Sequence, residues 1–507
     1  MPIEQVVAET LNLILVDERS NSVEEQSNIW LGLSCGIDST VLLHAVAHYC
    51  SIKNSFTQYS SNNSTQRTAT SRRRLKAIHV HHGLSENADA WAEQAQILCK
   101  QLARKFSITI DCIIEKVQLD DRGDGLEQVA RSARYRVFSR HCGPNDVLLQ
   151  GHHLDDQIET FFMRAIRGSG LTGLASIPKQ RNLSRDNTCQ ILRPLLTIEK
   201  NDLIEYARDH QLNWVEDESN QDSKIDRNWW RNELLPKIWQ QYPKQKQALS
   251  RTINTIQHEQ RLLQQLIINK IVSNDELQSP DHKIHSALKN IPRFDLLLVQ
   301  SMDQATGLSY LRAWFAQFVD ILPTAIQMQT IYVDMILARV DSEPKFSGSA
   351  FNLYRYHNGL YLFAKVDTYS TKQDQIGTDS LYIDLLNDHS LEWQGQELEL
   401  QGESLSCYLG HLICHKQVGA FALIPTQYKV RHWQAGDVAK PAGRSTRKMK
   451  KWWQDYHVPS WVRECWPIIV NNETDEIAAV PGLFVCHGYC VEQGELGWLV
   501  EYKLDFK

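Results

Sequence analysis

The chain has 507 residues, too many for a single hydrophobic core, so two to four domains are expected. Hydrophobic residues at 42% and charged residues at 22% exclude a largely disordered chain, and 24 Gly with 15 Pro exclude a collagen-like one. Net charge is −6 and mean hydropathy −0.40, with no apolar run of about 18 residues to span a membrane.

The start, MPIEQVVAETLNLILVDERS, carries acids where a secretory signal carries positive charge, so a cytoplasmic protein is expected. Short apolar runs at Asn28–Leu33, Leu75–His81, Ile108–Ile114 and Asp146–Gln150 alternate with helix-length segments at 39–50, 86–106, 124–141 and 154–167. This alternation predicts βαβ units, a parallel sheet with helices on both faces, and chemistry in the loops after the strands. Residues 51–74, rich in Ser, Thr, Asn and Gln and ending in three arginines, read as a disordered insertion. The stretch 246–340 reads as helical, with Ile253, Ile256, Leu263, Leu266, Ile267 and Ile271 on one face, followed by a second amphipathic helix in 308–322. A hairpin is expected in 346–365, turning at His357-Asn358-Gly359, and another from Pro467–Asn471 with Glu476–Val480.

Charge is uneven along the chain. Between Lys429 and Arg463 nine Lys or Arg face two Asp, with Trp433, Trp452, Trp453, Tyr456 and Trp461 interleaved, a nucleic-acid footprint on an acidic chain. Ser445 or Thr446 is expected to cap a helix there. Met449, Trp452 or Trp453, and Tyr456 would form its core face, leaving Arg447, Lys448, Lys450 and Lys451 for RNA. The 11 cysteines form no C-x-x-C pair, which reads as reduced thiols.

Two motifs carry chemistry. Leu33-Ser34-Cys35-Gly36-Ile37-Asp38-Ser39 follows the first strand and opens a helix. Such a loop offers backbone N–H groups and a helix N-terminus to phosphate, with Ser34 and Ser39 as donors. Asp38 cannot hold phosphate by itself, so its carboxylate implies a bridging Mg²⁺. The second motif, Gly151-His152-His153-Leu154-Asp155-Asp156-Gln157-Ile158-Glu159-Thr160, follows the fourth strand. Asp156 and Glu159 share a helix face, and three acids so close need a cation, either Mg²⁺ or a substrate ammonium. A rival reading makes this a metal hydrolase site with His79, His81 and His82, although such a site needs no phosphate loop.

The loop SCGIDS resembles the pyrophosphatase loop of the N-type ATP pyrophosphatases. Five further segments recur, in this order, in the tRNA(Ile)-lysidine synthetase family. They are His79-Val80-His81-His82-Gly83-Leu84, Glu127 to Tyr135, GHHLDDQIET, Arg167-Gly168-Ser169-Gly170, and Arg227-Asn228 to Pro236. The C-terminal stretch from Gly436-Asp437 through Gly443-Arg444, KMKKWW and Val458-Pro459 is similar too. The resemblance implies an α/β fold. A doubly wound, Rossmann-like PP-loop domain over 1–220 and a linker helix over 221–245 come first. A mainly helical substrate- and tRNA-binding domain over 246–370 and a small α+β tRNA-binding domain over 385–507 follow.

The activity implied is ligation of lysine to C2 of the wobble cytidine in the CAU anticodon of tRNA(Ile), through an adenylated cytidine. ATP and Mg²⁺ would be the cofactors, and tRNA(Ile) and L-lysine the partners, with a homodimer compatible and no membrane. By the same resemblance Ser34, Cys35, Gly36, Ile37, Asp38 and Ser39 bind ATP, with Asp38 on the metal. Asp156 and Glu159 hold the lysine ammonium. Arg227 or Arg231 pairs with the lysine carboxylate or with phosphate, Arg231 being counted among the catalytic residues; Arg131 and Arg134 are assigned to ATP or RNA phosphate, or to surface ion pairs. Cys35 departs from the family's usual Gly. If φ is positive there it costs about 1–2 kcal/mol; if not, it exposes a thiol of lowered pKa, sensitive to oxidation. The alternatives are a PP-loop tRNA thiolase, weakened by the missing C-x-x-C, and a tRNA-binding module with an inactive nucleotide fold.

Overall fold

A computed structural model describes residues 2–15, 28–60, 74–119, 126–216 without 186, 226–277, 288–365 without 320, 340 and 341, 381–384, 410–418, 424, and 427–504 without 464, 465, 472 and 493. The chain divides into two compact units, Met1–Leu263 and Gln264–Lys507.

In the first unit, helices α1 (Ile3–Leu15), α2 (Ile37–Ser60), α3 (Ala88–Phe106), α4 (Leu126–His141) and α5 (Leu154–Ile166) alternate with strands β1 (Ile29–Gly32), β2 (Leu75–His81), β3 (Ile110–Lys116) and β4 (Val147–Leu149). A short helix α6 (Leu171–Leu174) leads into a polar hairpin, β5 (Gln180–Asn182) and β6 (Gln190–Leu192), and then α7 (Lys200–Asp209). The sheet order is β3-β2-β1-β4-β6-β5, parallel except for the β5–β6 pair. All four expected strands form. The insertion expected over 51–74 begins inside α2, which continues to Ser60; residues 61–73 lie outside the described residues. The 39–50 reading stopped short because polar residues from Asn54 onward hide the helix period.

Apolar strands buried on both faces read as continuous runs, and the helices supply the two cores they need. On one side α1, α2, α3 and α7 bury Val7, Leu11, Val41, Leu42, Leu98 and Leu203 against β1 and β2. On the other, Val137 and Phe138 of α4 pack on Trp30, Ile78, Leu148 and Ile191. Strand order reverses between β1 and β4, because β2 and β3 lie on one side of β1 and β4 and β6 on the other. That reversal opens a crevice at the strands' carboxyl ends.

Beyond α7 the chain forms α8 (Asp226–Trp229), a π-helical turn over Trp230–Leu234, α9 (Leu235–Gln241) and the long α10 (Lys246–Leu277). Pro236 has no N–H to offer the Asn232 carbonyl, and the ladder widens there, with Leu235 N–H reaching the Trp230 carbonyl. Of the apolar face expected on α10, Ile253, Ile267 and Ile271 are buried, while Leu263 and Leu266 are exposed.

In the second unit, α11 (Gln304–Phe315) and α12 (Ala325–Ile331) pack on a four-stranded sheet, in the order β7-β10-β9-β8. Its strands are β7 (Arg293–Asp295), β8 (Lys345–Ser347), β9 (Phe351–Tyr356) and β10 (Gly359–Ala364). The hairpin expected at His357-Asn358-Gly359 forms between β9 and β10, with His357 at φ 49.

The C-terminal strands are β11 (Leu381–Asp384), β12 (Gly410–Val418), β13 (Gln427–His432), β14 (Val438–Ala439), β15 (Arg447–Lys448), β16 (Pro467–Asn471), β17 (Ile477–Val480), β18 (Phe484–Val485) and β19 (Leu496–Leu504), with helices α13 (Met449–Asp455) and α14 (Ser460–Arg463). A five-stranded antiparallel sheet runs β11-β13-β16-β17-β18, and β12 pairs with β19. Neither Ser445 nor Thr446 caps α13. Arg447 and Lys448 pair with Val438 and Ala439 instead, so the helix starts two residues later with Lys448 as its uncapped N-cap residue. Met449, Trp452 and Trp453 are fully buried, which makes this aromatic face core and leaves Lys448, Lys450 and Lys451 exposed.

One acid ties the sheet together below the crevice. Asp146, 6% exposed, accepts from the Asn28 backbone N–H at 2.6 Å, Asn28 Nδ2 at 3.1 Å, Trp30 Nε1 at 2.8 Å and the Gly143 N–H at 2.8 Å. Asp146→Ala strands all four donors, and a denaturant titration is expected to show a loss of about 3 kcal/mol. A loss within experimental error would mean that water replaces the carboxylate without penalty.

Candidate functional site

Both chemical motifs meet at the crevice. The Ser34–Ser39 loop leaves β1 and turns into α2 through internal hydrogen bonds. Ser39 Oγ accepts from the Ser34 N–H at 3.2 Å and donates to the Gly36 carbonyl at 3.0 Å, and Ser34 Oγ lies 3.1 Å from Ser39 Oγ. The facing loop after β4 touches it directly. A Cβ added at Gly151 would come within 3.0 Å of the Asp38 carbonyl carbon and 3.2 Å of the Ser39 nitrogen, so a side chain there would push the two backbones apart by a few tenths of an ångström.

Cys35 has φ 65 and is 1% exposed, so the first of the two expectations holds and the second is overturned. Its backbone takes the left-handed conformation that costs about 1–2 kcal/mol. Its thiol points inward and donates to the Trp91 carbonyl at 3.5 Å. Burial, and then the neighbouring Cys112, push the thiol up to about 12, so it is neither exposed nor ionised at neutral pH.

Helix α5 begins with a capping box: His153 Nδ1 accepts from the Asp155 N–H at 3.2 Å, and Asp156 Oδ2 accepts from the His153 N–H at 3.0 Å. With Nδ1 so engaged, His153 Nε2 carries the proton and faces Asp156 at 3.5 Å and Asp38 at 3.7 Å. Burial lowers the affinity of His153 for a second proton, but Asp156, Asp155 and Asp38 outweigh it and raise its pKa. Asp155 turns away from the other acids, accepting from the Lys200 N–H at 2.9 Å and from Lys246 Nζ at 2.8 Å.

The cation required by Asp156 and Glu159 is supplied by the protein. Arg227 donates to Asp156 Oδ1 at 2.6 Å and to Glu159 Oε2 at 2.9 Å. Arg231 donates to Glu159 Oε1 at 2.6 Å, to Glu159 Oε2 at 2.9 Å and to Asp156 Oδ1 at 3.0 Å. Glu159 and Asp156 are buried, so each carboxylate is satisfied by charge-assisted bonds inside the protein. Burial disfavours the Asp156 carboxylate, but His153, Arg227, His152 and Arg231 together hold its pKa below the usual carboxylate range. The scaffold is apolar: Leu154 and Ile158 of α5 pack with Trp230, Leu235 and Ile253, and Phe162 stacks on Trp230. This contact seats the π-helical turn, and with it both arginines, on α5.

The expected site residues thus fall into two groups a short step apart. Ser34, Cys35, Gly36, Ile37, Asp38 and Ser39 form the loop, and Asp156, Glu159, Arg227 and Arg231 form the charge cluster. Arg131 stacks on the ring of Tyr135 instead of joining either group. The rival metal constellation is not assembled: His79 Nδ1 is bonded to the Leu33 carbonyl, His81 Nε2 pairs with Asp89, and no metal-sized cluster occurs among the described residues. No helix among the described residues is long and apolar enough to cross a membrane.

Two lysines escaped the sequence reading. Lys200 Nζ lies 2.6 Å from Asp38 Oδ1, and Lys246 binds Asp155. Lys200 is the first residue of α7, and a basic residue opening the helix that follows β6, on the side of the sheet where ligands bind, was the available signal for it.

Comparison with known proteins narrows the reading. A family model for the PP-loop domain matches residues 4–238, and one for the TilS substrate C-terminal domain matches 428–502. A tRNA(Ile)-lysidine synthase from Photobacterium profundum is 33% identical over 484 residues, 94% of this chain and 97% of that one. Another, from Haemophilus influenzae, is 34% identical over 459 residues, covering 90% and 94%. The chain belongs to the tRNA(Ile)-lysidine synthase family. The N-terminal match spans the crevice just described, and the C-terminal match covers the basic helix α13. For a tRNA(Ile)-lysidine synthase, the α/β sheet, helical middle and antiparallel C-terminal sheet are the expected architecture. A crystal structure of a TilS C-terminal domain is similar over 19% of this chain and 83% of that one, at 22% identity and TM-score 0.15.

The acid cluster makes stability pH-dependent. Asp155 and Asp156 both have pKa values below the unfolded carboxylate value of about 4, so their contribution is complete above that pH and is lost as pH falls through the depressed values. The stability difference between the wild type and Asp156→Asn is expected to shrink steadily below pH 4. A pH-independent difference in denaturation midpoint would contradict the ionised, paired state of Asp156. Arg227→Met, which leaves two buried acids with one arginine, is expected to cost about 3 kcal/mol at pH 7.

Proposed function

We propose that the protein joins lysine to C2 of the wobble cytidine in the CAU anticodon of tRNA(Ile), using ATP and releasing AMP and pyrophosphate. The observation that carries this reading is the Asp156–Glu159 pair set against the Ser34–Ser39 loop across Gly151. Such an arrangement brings an ammonium site beside a phosphate site.

In the first step the cytidine O2 attacks the α-phosphate, a bond forms between them, and pyrophosphate leaves. Loop N–H groups from Ser34 to Ser39 and the α2 N-terminus stabilise the charge gathering on pyrophosphate. Asp38 is the residue that would hold Mg²⁺, whose role is to neutralise that same charge. One carboxylate with substrate phosphates and water is a donor set Mg²⁺ accepts, and Asp38 Oδ2 takes no hydrogen bond among the described residues. Lys200, now on Asp38 Oδ1, becomes available to phosphate once another cation binds there.

In the second step the lysine ε-amine attacks C2 and AMP leaves. An amine with a reference pKa of about 10.4 arrives protonated, so the site must bind the ammonium before it takes the proton. Asp156 and Glu159 provide the oxygens. Arg227 and Arg231 occupy those oxygens now, so binding exchanges a guanidinium for the ammonium, and Arg231 turns to the lysine carboxylate. The 246–370 and 385–507 segments carry the tRNA, with the exposed lysines of α13 on its phosphates.

Transfer of radiolabelled lysine onto a CAU-anticodon isoleucine tRNA transcript is the test. Labelling is expected to need ATP and to disappear when uridine replaces the wobble cytidine. Glu159→Gln is expected to raise the KM for lysine at least tenfold while ATP-dependent adenylation of the cytidine persists. Equal loss of both steps would remove Glu159 from the lysine site.

A further inference from the structure

A second charged group lies at the same end of the sheet, and neither the loop nor the acid cluster uses it. Arg193 follows β6 directly and is 2% exposed, yet it meets no carboxylate among the described residues. Its guanidinium donates to the Pro178 carbonyl at 2.8 Å, to Gln150 Oε1 at 2.9 Å and to His152 Nδ1 at 3.3 Å, all neutral acceptors. Gln150, which follows β4, passes the contact on to the Tyr135 hydroxyl at 3.3 Å. The Tyr135 ring is flanked in turn by the guanidinium carbons of Arg181, at 4.9 Å, and Arg131, at 5.1 Å. Arg181 sits on the β5 edge strand, where its hydrogen bonds among the described residues go to the Asn182 and Leu183 carbonyls.

Two guanidiniums on one aromatic ring and a third buried behind it, with no acid bonded to them among the described residues, form a positive site. Self-repulsion of this kind is tolerated where a ligand supplies the anion. Arginine edges beside a ring suit phosphate, which they bind through paired N–H donors. The ATP loop follows β1, whereas this group follows β4 and β6 and spreads toward the β5 edge, on the other side of the strand-order reversal. His152 and Gly151 connect it to the reacting centre.

We propose that Arg131 and Arg181, flanking Tyr135 and backed by the buried charge of Arg193, form a site for a backbone phosphate of the RNA substrate, close to the nucleotide being modified. This rests on the proposed reading that the substrate is a tRNA. The site fixes the position of the RNA backbone, while the acid cluster and the loop carry the chemistry. Tyr135 provides an internal reporter. Burial would raise its phenol pKa, but Arg131 and Arg181, the bond from Gln150, and Arg193 outweigh it and pull it down to about 8.

The test uses the full-length protein and an anticodon stem-loop RNA with a CAU loop. Binding is measured against salt concentration for the wild type, Arg181→Gln and Arg131→Gln, the last being an exposed helix position that folding tolerates. Each variant is expected to bind roughly tenfold more weakly and to lose about 0.7–0.9 from the log–log salt slope, as one phosphate contact does. The KM for ATP is expected to stay unchanged. In parallel, the ultraviolet titration of the wild type minus that of Tyr135→Phe should show a phenol ionising near pH 8. Added RNA should move that midpoint upward, because a phosphate disfavours the phenolate, while ATP alone should not move it.

Unchanged RNA affinity and salt slope in both variants, with lysine transfer intact in the wild type, would overturn the phosphate site and leave the proposed function standing. A raised KM for ATP with unaltered RNA binding would assign the arginines to ATP and overturn the inference as stated. Failure of the wild type to bind the stem-loop would overturn both.

Discussion

Two buried carboxylates one helical turn apart set the terms for the whole N-terminal unit. Asp156 and Glu159 cannot both be ionised and desolvated unless cations reach them. Arg227 and Arg231 arrive from sequence positions some seventy residues away, on a short helix and a π-helical turn. The apolar contact of Trp230 with Phe162 and Ile158 brings the arginines to the acids, and the acids fix where that turn must stop. Neither part is stable alone: the arginines without the acids would be half-buried charges, and the acids without the arginines would protonate. A pair of this kind adds little net stability over an apolar substitute, and losing one member is costly. Its value lies in holding charged groups ready in a dry place.

The phosphate loop obeys a different constraint, one of space. Gly151 lets the backbone after β4 lie against Asp38 and Ser39, and this close approach is what joins the two halves of the crevice. Cys35 shows the limit of tolerance on the other side of the loop. Its side chain escapes into the core beneath the loop, so the chain bears a left-handed residue without blocking the N–H groups above. The strain is a local cost, and the strand–loop–helix geometry is unaffected because Thr40, Val215 and the Ser34–Ser39 bonds tie the turn down.

Legibility followed the range of the interactions involved. Strands β1 to β4 were visible because each is a short apolar run between helix-length segments, a pattern that burial on both faces imposes. The β5–β6 hairpin was not, since Gln180-Arg181-Asn182 is a polar edge strand with no period to read. The α13 start was misplaced because Ser445 and Thr446 look like caps locally, while the pairing of Arg447 and Lys448 with β14 is a tertiary fact. In the site, residue types and spacing picked out Asp156 and Glu159, while Arg227 and Arg231 came from the family resemblance. That the arginines neutralise the acids, and do not await a ligand in the open, depends on packing across the π-helical turn. Arg193 and Tyr135 were invisible as a pair because β4 and β6 bring together residues 58 positions apart, with Gln150 between them.

The charge cluster also explains how one crevice can accept a zwitterionic amino acid without carrying a net charge before it arrives. Two carboxylates and two guanidiniums sum to zero, so the resting site has no stray charge to solvate. On the proposed reading, a ligand with an ammonium at one end and a carboxylate at the other replaces the pairing of one arginine with the acids by two external pairings. The ammonium takes the place of a guanidinium on Asp156 and Glu159, and the displaced guanidinium meets the carboxylate. A ligand with only one of these groups would leave either an acid or an arginine unpaired in a buried setting, at a cost of several kcal/mol. Discrimination then comes from the pairings that the site already contains, and no further residue has to be added to recognise both ends of the substrate.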